Sequence, residues 1–170
     1  MLACLDVHYA DDHVRTALLL AERWAASEAL TEQVSTSLGP AAAYVPGRFY
    51  ERELPYLVAA LAQAPLDLLQ VVLVDAHVWL DEERPGLGAH LYEALGARVP
   101  VVGVGKQHYR DQASARAVLR GHSRAPLYVT AAGLDVDQAA LAVQSMHGEH
   151  RLPTLLRRVD QLVRGTVSPR

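Results

Sequence analysis

The sequence predicts an α/β fold in which a mixed sheet of five or six strands carries helices on both of its faces. Three short apolar segments follow one another near the N-terminus, as in a meander of antiparallel strands. Helical and strand patterns then alternate along the rest of the chain. The apolar run at 68–74 is continuous, which is typical of a central parallel strand that is covered on both sides. These three observations together predict the fold class.

The first element is a buried strand at 2–9, because this apolar segment is short and continuous apart from Asp6. The segments 14–24 and 29–35 predict two further strands. Small residues at 25–27 lie near the turn between them. The three strands therefore form the predicted meander.

The rest of the chain begins with a loop at 38–47, which contains two Gly–Pro or Pro–Gly pairs. Apolar residues at helical spacing predict a helix over 48–64, and the strand at 68–74 follows it. The later elements are a helix at 86–95, strands at 99–104 and 126–130, and helices at 135–146 and 153–163, with Asp135 as an N-cap. This order of elements is typical of ribonuclease H-like folds.

The length of 170 residues predicts one domain that spans 1–170. The single cysteine excludes a disulfide framework and a cysteine-based zinc cluster. A net charge of −3 excludes a protein that coats nucleic acid by neutralising its phosphates. The N-terminus has no basic region of a signal peptide, and no apolar run reaches the ~18 residues of a membrane span. We therefore expect a cytoplasmic protein with no membrane partner.

Three acidic residues lie at positions where a charge is costly. Asp6 interrupts a buried strand, Asp75 closes the apolar run, and Glu53 lies on the core-facing stripe of its helix. If the two strands are neighbours, these carboxylates meet at one edge of the sheet, where open α/β sheets bind ligands. Such oxygen ligands suit Mg²⁺ or Mn²⁺. The alternative is that the aspartates cap turns and Glu53 pairs with an arginine such as Arg52.

Five short motifs follow one another along the chain. The first is the strand around Asp6, and the last is a C-terminal helix preceded by Arg-Leu-Pro. The motifs are Leu5-Asp6-Val7-His8-Tyr9; Tyr44-Val45-Pro46-Gly47 with Phe49 and Arg52-Glu53-Leu54-Pro55; Val74-Asp75 with Gly86-Leu87-Gly88; Val102-Gly103-Val104-Gly105-Lys106; and Arg151-Leu152-Pro153 with Val159-Asp160. Each motif is weak alone, but five in order across nearly the whole chain are specific, and together they resemble the motifs of the endonuclease V family.

The resemblance implies a metal-dependent endonuclease that cuts near deoxyinosine in DNA or inosine in RNA. Asp6, Glu53 and Asp75 would hold the Mg²⁺ or Mn²⁺ ion, which polarises the phosphoryl group and activates a water. Lys106 would face the scissile phosphate. It is the only lysine beside 15 arginines, which suggests that a compact ammonium is required there.

The resemblance also implies a set of contacts with the nucleic acid. A wedge would enter the gap left by a flipped base, and small or apolar residues would line a pocket for inosine. The implied wedge is Tyr44, Val45, Pro46 and Gly47, and the implied pocket is Gly47, Phe49, Gly86 and Leu87. Asp160 could add a fourth carboxylate, with a solvated helix face as the alternative.

The third motif departs from the family pattern Asp-Gly-x-Gly-x-x-His-Pro. Ala76 and Val78 replace its glycines, where the backbone is expected to approach a base closely, and Asp81 replaces its histidine. An ionised carboxylate only accepts hydrogen bonds and repels phosphate. His77 lies nearby, but it is shifted by four residues. The family's helix before the first strand is also missing, and the stretch after Lys106 is shorter.

These departures leave two other hypotheses open. One is a catalytically impaired relative that binds nucleic acid or a protein partner. The other is a metal-dependent hydrolase of small phosphate esters or nucleotides. The sequence decides neither between DNA and RNA nor the oligomeric state.

Overall fold

The computed structural model of the protein describes residues 1–39, 49–108 and 113–169, without the side chain of Phe49. These residues form seven strands, four α-helices and one short 3-10 helix at Leu66–Leu68. The strands are β1 (Leu2–Tyr9), β2 (His13–Ala21), β3 (Thr31–Leu38), β4 (Val71–Val74), β5 (Val101–Gly105), β6 (Arg116–Val118) and β7 (Leu127–Ala132). The helices are α1 (Phe49–Leu61), α2 (Leu87–Ala94), α3 (Val136–Ser145) and α4 (Thr154–Val163).

The strands form one mixed sheet in the order β3-β2-β1-β4-β5-β7-β6. The predicted meander is confirmed, because β2 pairs antiparallel with both β1 and β3. The central pairs β1–β4 and β4–β5 are parallel. The prediction of five or six strands is wrong in number, since β6 has only three residues and carries no readable pattern. The predicted start of the fourth strand is also wrong, because Leu68 belongs to the 3-10 helix.

Helices cover both faces of the sheet, as predicted. On one face, α1 and α2 place Leu57, Leu61 and Leu91 in an apolar core against the central strands. On the other face, α3 and α4 contribute a second core that includes Val143 and Leu162. Burial of these apolar side chains from both sides explains why the central strands read as continuous apolar runs.

The register of the central strands brings the predicted site together. Leu5 of β1 pairs with Val74 of β4, so the residues that follow them, Asp6 and Asp75, emerge side by side at one edge of the sheet. Lys106 follows the end of the neighbouring strand β5. Helix α4 packs across β1 and β2. Among the described helices, none is long and apolar enough to cross a membrane.

Candidate metal centre

A cavity of about 580 Å³ opens where β1, β4 and β5 end. The loop before α2, the first turns of α1 and the end of α4 complete its wall. Six of the residues that sequence reasoning assigned to a site line it, namely Asp6, Glu53, Asp75, Gly86, Leu87 and Lys106. The fold therefore collects one set of acidic, basic and small residues from distant parts of the chain.

Three carboxylates form a compact group at this cavity. Asp6, Asp75 and Asp160 each offer an oxygen, and these oxygens lie within 4.8 Å of one another. Asp160 reaches the group from α4, which packs on β1. Carboxylate oxygens at this spacing are suitable ligands for a hard divalent cation. Of the two alternatives for Asp160, a carboxylate that joins the cluster describes its position better than a solvated helix face.

Glu53 approaches the same cavity from α1, outside the compact group of three. The Tyr9 hydroxyl donates a hydrogen bond to the Arg52 carbonyl oxygen at 3.2 Å, and it also faces the Glu53 carboxylate. The Arg52 guanidinium lies over the Tyr9 ring, 4.1 Å from its centroid. Glu53 is thus held at the wall beside the group, where it can supply a further oxygen.

Burial and mutual repulsion disfavour the charged forms of two of these acids. Burial, followed by the charge of Asp75, raises the pKa of Asp6 to about 7. Burial, followed by the charge of Asp6, raises the pKa of Glu53 to about 8. A divalent cation among these carboxylates would remove the repulsion. The donor set therefore fits a metal ion in charge as well as in spacing.

Two cations lie beside the carboxylates. The Lys106 Nζ atom is 2.5 Å from Asp75 Oδ2 and 3.9 Å from Asp160 Oδ1. The Arg164 Nε atom is 3.1 Å from Asp160 Oδ1. Burial lowers the pKa of Lys106, but the hydrogen bond and charge of Asp75, with help from Asp160, outweigh it and raise the pKa overall. Lys106 therefore carries a full positive charge at the edge of the cluster.

Comparison with known proteins identifies the family. A family model described as Endonuclease V matches residues 1–124. The chain belongs to the endonuclease V family. A comparison with curated proteins gives no match.

Solved endonuclease V structures have the same fold. The Bacillus subtilis protein has a TM-score of 0.81 at 19% identity, over 97% of this chain and 79% of that one. The Streptomyces avermitilis protein has a TM-score of 0.74 at 26% identity, over 97% and 80%. The Ciona intestinalis protein, in complex with a 24-mer DNA that contains an inosine followed by a ribo-adenosine, has a TM-score of 0.78 at 17% identity, over 97% and 84%. The ribonuclease H-like α/β prediction is consistent with this likeness.

The residues that match the family's base pocket lie only partly within the described structure. Gly86 and Leu87 line the cavity. A Cβ on Gly86 would overlap the His77 carbonyl oxygen, so the glycine lets the protein backbone pass closely. The described residues do not include the predicted wedge, which is Tyr44, Val45, Pro46 and Gly47. They also leave out the side chain of Phe49, so two of the four pocket residues, Gly47 and Phe49, are not described.

The two residues that replace the family's glycines differ in their surroundings. The Val78 side chain is fully buried, and Gly88 leaves room for it because a Cβ there would lie 2.7 Å from Val78 Cγ2. The Val78 side chain therefore belongs to the apolar core, and it is not among the residues that line the cavity. Ala76 does line the cavity.

Asp81, which stands where the family has histidine, closes a turn. Its Oδ1 atom accepts hydrogen bonds from the backbone N–H groups of Glu83, at 3.1 Å, and Arg84, at 2.7 Å. These hydrogen bonds lower the pKa of Asp81. Its Oδ2 atom is 3.2 Å from Nε of Arg84, which lines the cavity. Asp81 thus places a negative charge beside Arg84, within the rim that leads to the metal centre.

Sequence reasoning assigned no role to several residues that lie at the site. Arg164 carried a readable signal, because it lies four residues after Asp160 on the same helix and such pairs face each other. The contact of Tyr9 with Glu53 joins β1 to α1 and has no local signal. His77 lines the cavity, although it does not stand at the sequence position of the family's histidine.

Proposed function

We propose that this protein, acting as one domain over 1–170, hydrolyses a phosphodiester bond near deoxyinosine in DNA or inosine in RNA. The observation that carries the proposal is the compact group of Asp6, Asp75 and Asp160 at the carboxyl ends of parallel strands. Membership of a metal-dependent nuclease family supports the same chemistry. The inosine-containing DNA bound by the Ciona intestinalis relative supports the substrate class.

The proposed cofactor is Mg²⁺, with Mn²⁺ as a substitute. Asp6, Asp75 and Asp160 would hold the ion, and Glu53 would supply a further oxygen directly or through a water. When bound, the ion polarises a phosphoryl oxygen and lowers the pKa of an attacking water. All of these ligands are oxygen atoms, which is the donor chemistry that Mg²⁺ and Mn²⁺ share.

The chain's own residues would bind and orient the substrate around this centre. Lys106 lies beside the carboxylates with its positive charge, where it can attract the scissile phosphate. Gly86 and Leu87 would form the described part of the base pocket. The wedge at Tyr44, Val45, Pro46 and Gly47, and the pocket residues Gly47 and Phe49, are part of this proposal on the strength of the family motif.

A cleavage assay with matched variants tests the proposal. Strands of DNA and RNA with one inosine, and the same strands without it, are incubated with Mg²⁺, with Mn²⁺ or with EDTA. We expect metal-dependent cutting near inosine that is greatly reduced in Asp75→Asn and retained in Asp81→Asn, because only Asp75 belongs to the carboxylate group. Cutting that is unchanged in Asp75→Asn would contradict the proposal. Turnover of free nucleotides without cleavage of strands would instead favour a small phosphate-ester hydrolase.

A second candidate function is binding without turnover. The observation that favours it is Asp81, whose carboxylate is engaged with a turn and Arg84 where the family uses a histidine. Under this candidate, inosine-containing strands or a protein partner would bind, and none would be cut in Mg²⁺ or Mn²⁺. A binding measurement by fluorescence anisotropy, run beside the cleavage assay, separates the two candidates.

A further inference from the structure

We propose that His77 and Arg151 are positioning residues that hold Lys106 against the carboxylate group by fixing two successive backbone carbonyls. This inference rests on the proposed function only where it concerns turnover. Its structural part concerns the placement of one ammonium group. Each residue donates to a backbone carbonyl of the Lys106–Gln107 segment, so both would act on Lys106 through that backbone.

The first contact comes from His77, which is 7% exposed in the wall of the cavity. Its Nε2 atom lies 3.0 Å from the carbonyl oxygen of Gln107. A carbonyl oxygen can only accept, so Nε2 carries the hydrogen and donates it. The histidine that follows Asp75 by two residues thus fixes the backbone one residue beyond Lys106.

The second contact comes from Arg151, in the segment that leads into α4. Its Nη2 atom donates to the Lys106 carbonyl oxygen at 2.6 Å and to the Pro126 carbonyl oxygen at 2.7 Å. Pro126 directly precedes β7. One guanidinium group therefore ties the end of β5 to the start of β7 and to the approach of α4, which carries Asp160.

Gly105 leaves space for the ring of His77, because glycine has no side chain. A Cβ on Gly105 would overlap the His77 ring at Nε2, and it would lie within 3.0 Å of Cδ2. Any other residue at 105 would displace the ring and its hydrogen bond to Gln107. Gly105, Lys106 and Gln107 thus form one short segment in which the glycine admits the ring and the next two carbonyls are anchored.

Anchoring matters because lysine has a long and flexible side chain, whose ordering costs rotamer entropy. The Lys106 Nζ atom must nevertheless stay 2.5 Å from Asp75 Oδ2. A backbone held at two successive carbonyls fixes the position of the Lys106 Cα atom, and this reduces the range of positions that the Nζ atom can reach. Misplacement of such a group by about 1 Å can cost on the order of a hundredfold in rate.

The single lysine of the chain makes this placement directly measurable. Protein labelled with ¹³C only in lysine gives one set of side-chain signals, all from Lys106. We expect the wild-type ¹³Cε resonance to be shifted and broadened relative to free lysine. In His77→Leu and in Arg151→Met, each of which removes a donor, it should move most of the way to the free-lysine position and sharpen.

Two further variants separate positioning from general loss of structure. His77→Gln keeps an N–H donor in the side chain and should retain a lysine signal near that of the wild type. Val78→Ala is the matched control, because it truncates a fully buried neighbour of His77 whose aliphatic side chain has no hydrogen to donate to the Gln107 carbonyl. If His77→Leu does not fold, Arg151→Met and His77→Gln decide the result.

Turnover gives the second readout. Where the wild type cleaves, His77→Leu should lower kcat about tenfold with KM changed less than about twofold, and His77→Gln should restore most of the rate. An unmoved lysine signal in folded His77→Leu and Arg151→Met would overturn the inference, and so would an equal movement in Val78→Ala at matched unfolding free energy. A wild type that cuts no substrate would overturn the proposed function and leave the resonance test intact.

Discussion

Carboxylates are enclosed in two very different ways in this molecule. Glu32 of β3 meets Arg158 of α4 in a paired contact, with both carboxylate oxygens 2.8 Å from guanidinium nitrogens. The Glu32 side chain is 4% exposed. At the candidate metal centre, Asp6, Asp75 and Asp160 share one place with Glu53 beside them, and Lys106 and Arg164 face the group as cations.

The difference separates a structural ion pair from a ligand site. The bidentate pair satisfies its charges within the protein and joins the outer strand of the sheet to the last helix. The candidate metal centre gathers more carboxyl groups than cations, and burial, followed by repulsion among these groups, raises the pKa values of Asp6 and Glu53. An excess of charge that folding does not neutralise indicates an exogenous partner.

The largest effect is expected from removing a carboxylate of the centre. Asp75→Asn should lower cleavage of inosine-containing strands by about a hundredfold to a thousandfold, because the ion loses a ligand and Lys106 loses its closest partner. Stability should change little, because the loss of the ion pair between Asp75 and Lys106 offsets the relief of repulsion between Asp75 and Asp6. Single-turnover kinetics and chemical denaturation measure the two quantities on the same sample. Full activity in this variant would place the chemistry elsewhere.

Removing the ion pair between Glu32 and Arg158 should lower stability and leave the cleavage rate unchanged. Glu32→Gln leaves Arg158 without its carboxylate, and we expect it to lower the free energy of unfolding by about 2 kcal/mol. Its cleavage rate at a temperature where it is folded should stay near that of the wild type. Urea denaturation checks the loss. A rate that falls in step with Asp75→Asn would show that the two regions are coupled.

The third prediction concerns pH and the metal-free protein. The folded state holds protons on Asp6 up to pH about 7 and on Glu53 up to about 8, whereas unfolded carboxyls release theirs near pH 4. Between these values the folded state binds more protons than the unfolded state, so stability falls as pH rises from 5 to 8. We expect Tm in EDTA to fall by about 10 °C or more over this range.

Glu53→Gln provides the control for this pH dependence. It removes one of the two raised carboxyls and should flatten the fall in Tm. Glu32→Gln, by contrast, should lower Tm and leave the slope in place. A wild-type Tm that rises with pH in EDTA would show that these acids are already charged in the folded state.

The smallest effect is expected at the exposed pair of Asp81 and Arg84 on the rim. Arg84→Ala should reduce the slope of log affinity against log salt for an inosine-containing strand by about 1 or less, because one phosphate contact is lost. Anisotropy titrations at several salt concentrations measure the slope. A reduction in slope by several units would mean that the turn carries a larger part of the nucleic-acid interface.

Much of the site could be predicted because its aspartates directly follow the apolar residues of two strands. Asp6 and Asp75 follow buried apolar runs, and such runs are easy to recognise in a sequence. Helices α3 and α4 and the Asp135 cap were also readable, since their signals are local. The three-residue strand β6 was missed because so short a segment has no periodicity.

The contacts that complete the site could not be predicted. Arg151 donates to Lys106 across 45 residues of chain, and His77 donates to Gln107 across 30. These contacts depend on how loops meet after the sheet is formed. Val78 shows the same limit, because the sequence gives no sign that its side chain is buried in the core beside Gly88.

Asp6 belongs to the first strand and Asp160 to the last helix. Their carboxylates lie together only when nearly the entire chain is folded. An unfolded chain offers no comparable group of oxygens. Ions captured there would consequently bind the native state alone and add stability by mass action, about 2.7 kcal/mol at a concentration one hundred times the dissociation constant. The divalent-ion level of the cell would then govern how often this chain opens to proteases.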